Sequence, residues 1–451
     1  MTSILNRMPS LKKTLAGRPG LKKIVDNIGW LFLDRMLRLV IGLFVGIWVA
    51  RYLGPEQYGI LNYALSFVAL FAIFVQLGLQ SVVVRDLVNH PEASGETLGS
   101  AAALQVIGGL VAYGALVWAV VQLRDDSSVA RAAVSIFGLT LLFKASETAK
   151  YWFEAHVNSK YVVWVSNVVF LFSAIGKIAV ITLGGDLLLF VWINALDAIF
   201  VGMGIITAFF IVSGPSRHLT VSWKRVKSLF HDSWPLFLAG AAVIIYMKID
   251  IVMLSEYSSD TETGIYAAAT KISEIWYFVP MIVISSIFPA LLNAKKNSEA
   301  LYYRRLQTLF DALVWVSIAC AVVLTFSSGL VVQTLFGNEY ASASDVLSAH
   351  IWAAVFVFLG VASGRWFIAE GLQILSLYRA LAGAAINVAL NLFLIPEFGA
   401  IGAAWATVLS YAVSAFLFDL LQKPTRHLFR MKLKSFDPVG AFGRLGSLRP
   451  S

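Results

Sequence analysis

Apolar stretches long enough to cross a bilayer fill most of residues 28–420, and several of them carry Lys or Arg near their middle. A transmembrane helix takes about 20 apolar residues. In hydrocarbon every backbone N–H and C=O must be satisfied within the protein, which leaves helices or closed barrels. Continuous apolar runs of this length have no period-two alternation, so they read as helices. The chain is 59% hydrophobic and 14% charged, against roughly 25% charged in an average soluble domain. The predicted fold class is an all-α polytopic membrane protein with about twelve transmembrane helices in two six-helix bundles.

The first six spans fall at 28–50, 60–84, 98–122, 132–153, 161–183 and 187–211, and the second six at 234–255, 264–291, 306–328, 345–369, 373–395 and 400–420. This divides the chain into a basic tail (1–27), a first bundle (28–212), a linker (213–233), a second bundle (234–420) and a second basic tail (421–451). The halves align weakly. Gly59-Ile60-Leu61-Asn62-Tyr63-Ala64 opens span two, and Gly264-Ile265-Tyr266-Ala267-Ala268-Ala269 opens span eight. Six is an even number, so both halves enter from one side and an axis along the membrane normal should relate them.

Charge sets the sidedness. The tails, the linker (Arg217, Lys224, Arg225, Lys227) and the loop after span eight (Lys295, Lys296, Arg304, Arg305) hold most of the loop cations. The opposite loops hold Arg51, Arg124 and Arg131. Cytoplasmic loops of membrane proteins are the basic ones, so both termini and the 213–233 linker are expected in the cytoplasm. The net charge of +9 is then an orientation signal rather than a nucleic-acid footprint, and no nucleic-acid motif is visible. Residues 1–27 lack the apolar core of a cleavable signal. Ile4, Leu5, Met8, Leu11 and Leu15 share one helical face, which suits an interfacial helix, while Pro9 interrupts the pattern and suits a flexible tail. The external loops are too short for a catalytic domain. There is no Walker loop and no zinc spacing, and the lone Cys320 sits in an apolar span, so no cofactor is expected and the chain does not read as an enzyme.

A charge near the bilayer centre costs at least about 2.5 kcal/mol, so it is kept when it faces a wet cavity or a partner. A two-fold repeat with cations between its halves reads as a transporter of an anionic substrate. Span one holds Asp34, Arg35 and Arg38. Arg35 suits snorkelling to the surface, whereas Arg38 lies deeper and is spaced to pair with Asp34. Span four holds Lys144, Glu147, Lys150 and Glu154 as a stripe, with Lys144 near mid-membrane. Span seven holds Lys248 and Asp250, and span eight Lys271 and Glu274. Asp197 and Asp311 suit structural ion pairs. Gln76 and Gln80, four apart, could hydrogen-bond a sugar, and Trp276 and Tyr277 could stack on one or simply pack. Pro280 should kink span eight, and Pro289 could do the same near its end.

Four stretches carry a family resemblance. They are Ala50 to Gly59 (ARYLGPEQYG), Trp152-Phe153-Glu154 with Lys160-Tyr161 and Asn167, Leu335-Phe336-Gly337 with Tyr340, and Asn387 through Asn391 to Pro396 followed by Gly399 to Thr407. With these the chain resembles Wzx-type flippases of lipid-linked oligosaccharides, the polysaccharide branch of the multidrug/oligosaccharidyl-lipid/polysaccharide (MOP) superfamily. Relatives commonly carry Gln-Gly where this chain has Glu154-Ala155. The resemblance implies alternating access and a polyprenyl-diphosphate-linked unit of O-antigen, capsule or exopolysaccharide as substrate. It implies the diphosphate on Arg38, Lys144, Lys248, Lys271 and Arg35. The glycan would lie along Gln76, Gln80, Trp276 and Tyr277. A proton or sodium ion would be coupled through Asp34, Glu147, Asp250 or Glu274. In that superfamily spans one, two, seven and eight line the central cleft, which favours Arg38, Lys248 and Lys271. Membrane lipids, and the polymerase and chain-length proteins of glycan assembly, are the implied partners. The alternatives are a MATE-type cation antiporter, whose cleft should be rich in carboxylates, a lipid II flippase, which should have fourteen spans, and a non-transporting scaffold, which should tolerate loss of its buried cations.

Overall fold

The computed structural model describes residues 19–214 and 219–446, and the side chains from Trp30 and Asp34 onward. The interfacial-helix pattern at Ile4 to Leu15, and Arg217 in the linker, lie outside them. Ten helical runs among the described residues are long and apolar enough to cross a membrane. Two of these have double length, Asp34–Asn89 and Gln373–Leu421, and each is bent at a glycine with non-helical backbone, Gly54 (φ 70°) and Gly399 (φ 56°). An L side chain at that φ would crowd the carbonyl of the preceding residue, so glycine is what lets the chain turn back there. Counting each bent run as two crossings gives the twelve of the sequence reading. Phe326 is 89% exposed, Leu183 85% and Phe393 75%. An apolar surface of this kind needs lipid as its solvent, so the protein is a multi-pass membrane protein.

The chain forms two compact units. One takes the residues up to Val49 and Phe67–Gly240, the other Ala50–Ser66 and the residues from Ala241 onward.

The first unit contains α1 (Pro19–Gln76, apart from 50–66), α2 (Leu79–Asn89), α3 (Ser94–Leu123), α4 (Ser128–Gly138), α5 (Glu147–Ala155), α6 (Lys160–Leu183), α7 (Leu187–Ser213) and the start of α8 (Trp223–Tyr257). Leu79, Val83, Trp152, Phe153, Phe209 and Leu229 belong to its core. Two expectations fail here. Span two is not continuous to residue 84: Leu77 (φ 49°) and Gly78 (φ 66°) break it, so Gln76 and Gln80 sit on different helices and share no face. Span four is not one α-helix, because Leu139–Ser146 winds into a tighter 3₁₀ turn between α4 and α5. Gly109 of α3 approaches that turn so closely that a Cβ would lie 2.7 Å from the Leu141 carbonyl oxygen. Small residues at such contacts are how membrane helices pack without a hydrophobic drive.

The second unit contains the rest of α8, α9 (Asp260–Glu274), α10 (Phe278–Asn297), α11 (Glu299–Phe336), α12 (Ala343–His350), α13 (Ala353–Ala369), α14 (Gln373–Ala412), α15 (Phe418–Leu421), α16 (Arg426–Ser435) and α17 (Pro438–Gly446). The segment 50–66 is held against α9 by a reciprocal contact. A Cβ on Gly59 would lie 1.8 Å from the Asp260 carbonyl oxygen, and one on Gly264 would lie 1.8 Å from the Pro55 carbonyl oxygen. Each glycine thus faces the carbonyl that lies four residues before the other, so the aligned Gly-Ile openings of spans two and eight mark a physical contact. Tyr340, wholly buried, donates to the Ala50 carbonyl at 2.8 Å and fixes the same segment.

Three further expectations change in this unit. The break in span eight is the 3₁₀ turn Ile275–Tyr277, not a kink at Pro280, which sits in the first turn of α10 where no backbone donor is needed. Lys295, Lys296, Arg304 and Arg305 are not in a loop, since α10 and α11 run on past the apolar part of their spans and leave only Ser298 between them. The second basic segment, 421–451, is folded rather than a bare tail over its described residues: α16 and α17 pack on the unit through buried Leu428, Met431, Lys432 and Ala441.

Candidate functional site

Two of the charge pairs in the first unit neutralise themselves locally. Arg38 donates to Asp34 at 2.9 Å, one helical turn away, and its guanidinium covers the Phe170 ring at 4.9 Å. Lys144 pairs with Glu147 at 2.9 Å across the end of the 3₁₀ turn. Tyr151 donates to the other Glu147 oxygen at 3.4 Å, and Gln105 donates to Tyr151 at 3.3 Å. Gln80 is engaged with Glu154 at 2.8 Å, so the residue that departs from the Gln-Gly pattern binds one of the proposed glycan-lining amides. Asp197 feels Lys177 and Arg38, and Lys177 donates to Asn194 at 2.9 Å. Arg35 is exposed, as snorkelling requires.

The second unit is arranged differently. Asp250 on α8 is 3% exposed and is surrounded by neutral donors. Tyr266 donates to Oδ2 at 2.8 Å, Thr407 to Oδ2 at 2.5 Å, and Asn391 to Oδ1 at 2.6 Å. Asn387 faces the same carboxylate, although its Nδ2 makes no hydrogen bond, and the Asn391 Oδ1 is a buried acceptor with no donor. Three helices build this site. Asn387 and Asn391 are one turn apart on α14, and Thr407 lies beyond the bend at Gly399, where Glu262 of α9 accepts the Ala400 N–H at 2.8 Å. The bend returns α14 so that both halves of it reach Asp250. As arranged, Asn391 presents an N–H and Tyr266 and Thr407 present hydroxyls to a carboxylate with one negative charge. With the amides turned over, the same side chains would offer oxygens of the kind that suit a small hard cation. No group of three His, Cys, Asp or Glu side chains that could hold a metal occurs among the described residues.

Lys271, on α9, lies about 16 Å along that helix from its start. Its Nζ reaches the Tyr58 hydroxyl at 3.5 Å and stands 6.0 Å from the centre of that ring. Among the described residues neither Lys271 nor Lys248 has a carboxylate within 4 Å. Glu274 lies within the electrostatic reach of Lys248 and Asp250. Of the proposed aromatic pair, Tyr277 is only 9% exposed, within the core of the unit, and Trp276 packs against that core. Tyr277 therefore offers no stacking face to a sugar. Asp311 forms the structural ion pair expected of it, accepting both nitrogens of an Arg444 fork at 2.7 and 3.0 Å.

Sequence alone points to Asp250 but not to the residues around it. Asn387, Asn391 and Thr407 entered only as motif letters. The signal that could have found them is polar residues at helical spacing inside apolar spans, which a membrane helix keeps only for a partner.

The fold defines the chain as an all-α, multi-pass membrane protein. The solved structure of the lipid II flippase MurJ in an inward closed conformation superposes with a TM-score of 0.71 at 16% identity, covering 93% of each chain. An inward-facing multidrug resistance MATE transporter of the MOP superfamily gives 0.69 at 13% identity, over 91% of this chain and 99% of that one. The chain belongs to the polysaccharide biosynthesis protein family, whose model matches residues 24–295. A probable low-salt glycan biosynthesis flippase of Haloferax volcanii is 26% identical over 198 residues, and the match spans 44% of this chain and 42% of that protein. A capsular polysaccharide biosynthesis protein of Staphylococcus aureus is 20% identical over 398 residues, 87% of this chain and 97% of its own length.

Proposed function

We propose that the protein flips a polyprenyl-diphosphate-linked oligosaccharide across the bacterial cytoplasmic membrane by alternating access, with both termini in the cytoplasm. The observation that carries this reading is Lys271, an intramembrane cation whose contact is a phenol rather than a carboxylate. An ammonium held in a span without an anionic partner is stabilised when an anion arrives. A diphosphate supplies several acceptor oxygens and a double negative charge, and Lys meets it as a point charge. Lys248, with no carboxylate within 4 Å, is the second contact. Arg38, Lys144 and Arg35 are secondary, because Arg38 and Lys144 must exchange an existing ion pair for the substrate. The chain moves its substrate and does not transform it, and it works beside the polymerase and chain-length proteins that consume the flipped unit.

The driving ion binds at Asp250. A proton can neutralise the carboxylate, and a sodium ion can take Asp250, Asn387, Asn391 and Thr407 oxygens together. Either would offset the cost of a buried charge held by neutral donors alone. Asp34 and Glu147 are weaker candidates, since each already holds a cation, and Glu274 lies between them and Asp250 in this respect.

The test is transbilayer movement of a polyprenyl-diphosphate oligosaccharide in liposomes containing the purified protein, with and without a proton or sodium gradient. The expected result is protein-dependent movement that a gradient accelerates and that Asp250→Asn uncouples. Gradient-driven efflux of organic cations without glycolipid movement would shift the reading to a cation antiporter. Movement unaffected by neutralising Lys271 and Lys248 together would remove the cationic site.

A further inference from the structure

The C-terminal arm, α16 and α17, spends two of its cations on anchoring itself. Lys432, wholly buried, donates to the Ala415 carbonyl at 2.6 Å and to Asp419 at 2.5 Å. Arg444 forks onto Asp311 of α11. Gln307 of α11 ties the same arm by donating to the Met431 carbonyl and the Ser435 hydroxyl, each at 2.9 Å. What the anchors leave between α11 and the arm is a cavity of about 340 Å³, walled by Tyr303, Arg304, Thr308, His427, Lys434 and Arg444. Tyr303 and His427 meet edge to face, with centroids 4.7 Å apart, and hold one wall. Asp311 and Asp437 act on Arg444, and Glu370 and Glu299 act on Tyr303, Glu370 being already paired with Lys295 at 2.8 Å. The wall itself holds Arg304, Lys434 and Arg444 and no carboxylate. Among the described residues Arg304 and Lys434 have no carboxylate partner, so the cavity keeps a surplus of positive charge.

The same two helices carry an exposed apolar row: Leu433 is 53% exposed, Phe442 57% and Val439 84%. Phe442 packs at a tilt against Trp315 of α11, with centroids 5.2 Å apart. Apolar side chains next to a basic cavity at the end of a transmembrane helix are the arrangement of a bilayer interface, with acyl chains over the one and phosphates in the other. A cavity of this volume holds a glycerophosphoryl group with room to spare.

We propose that this cavity is a binding site for the phosphate of an anionic phospholipid, with Arg304 and Lys434 as its direct ligands and α16–α17 as the element it holds to the membrane. On the orientation proposed above, the lipid belongs to the cytoplasmic leaflet. The site lies apart from Asp250 and Lys271 and does not depend on what the protein transports.

The experiment is native mass spectrometry of the full-length, delipidated protein titrated with short-chain phosphatidylglycerol, phosphatidylcholine or glycerol phosphate. Each cation near such a surface contributes about 1 kcal/mol, so Arg304→Gln with Lys434→Gln should weaken phosphatidylglycerol binding roughly 30-fold. Both residues are exposed and the Lys432 and Arg444 anchors stay intact, so the fold is preserved. The control Lys423→Gln with Arg430→Gln removes the same charge from α16 and the turn before it, outside the cavity, and should bind as the unaltered protein does. Phosphatidylcholine, whose phosphate carries its own cation, should bind weakly. Unchanged binding in the Arg304/Lys434 variant overturns the proposal, and so does an equal loss in the control, which would mean diffuse attraction. Glycerol phosphate binding as tightly as the lipid would overturn the lipid assignment and give the cavity to a soluble phosphate ester.

Discussion

Two sets of charge sites, one in each unit, hold intramembrane charge in opposite ways. In the first unit, Asp34–Arg38 and Lys144–Glu147 are neighbours in sequence and close as ion pairs at 2.9 Å. In the second unit, Asp250 is held by three neutral donors, and Lys271 by one phenol. A self-neutralised pair lowers the cost of placing charge in a membrane and has little left to offer a ligand. A separated acid and base keep that cost until ions of the opposite sign arrive. The lesson is that counting buried cations overstates the binding site, and that their existing partners rank them.

The largest expected effect lies at Asp250. Replacing it with Ala strips the site of its charge and leaves the Tyr266, Thr407 and Asn391 donors without their acceptor. Loss of one charged partner should weaken ion binding roughly 100-fold. Isothermal titration with sodium, or gradient-dependent flipping if the ion is a proton, checks it, and an unchanged ion response would end the assignment. In the first unit the contrast predicts a small effect: Asp34→Asn with Arg38→Gln removes both members of an exposed-side pair and should change flipping by less than about threefold. A larger fall in the double variant would show that the pair serves the substrate and would break the comparison.

A contact inside the second unit gives an intermediate effect. Gly264→Ala places a methyl group on the Pro55 carbonyl, and the overpacking should cost about 1–3 kcal/mol. Gly114 has open space around its Cβ position, so Gly114→Ala is the neutral counterpart in the first unit. Thermal unfolding of the two variants in detergent compares them directly.

The buried pair Lys432–Asp419, beyond the last span, adds a pH test with the smallest effect. Burial pushes Lys432 down to about 8 from its ordinary 10.5. Below that value the folded and unfolded chains both carry the charge, and the cost of burying it is fully present. Between about 8 and 10.5 the unfolded chain binds more protons, so stability rises with pH. Hydrogen exchange in α16, corrected for its intrinsic rate, should slow between pH 7 and pH 9. Faster exchange would show that the ion pair outweighs the burial.

Much of this was legible in the sequence because the bilayer constrains it so strongly. Length, apolarity and loop charge are enough for the twelve crossings, and the pairing of Arg38 with Asp34 follows from helical spacing, whereas the pairing of Lys144 with Glu147 was legible only as a shared stripe. The motif letters carried more than a family likeness. Gly59 and Gly264 are small because backbones meet there, Gly399 bends α14, and Asn387, Asn391 and Thr407 surround Asp250. What escaped was tertiary. Spacing alone does not reveal that Leu77 and Gly78 break a helix between Gln76 and Gln80, or that Tyr277 turns into the core. Nor does it show that the basic tail folds back on α11, because those outcomes are decided by packing between distant segments.

The most direct test of the contrast between the units is the affinity of purified protein for a polyprenyl diphosphate without its sugar, measured for Lys271→Gln and Lys144→Gln. Loss of an unpaired charge contact to phosphate should weaken binding about tenfold or more for Lys271→Gln, and release of a paired one by no more than about twofold for Lys144→Gln. Equal losses, or a larger loss at Lys144, would contradict the account.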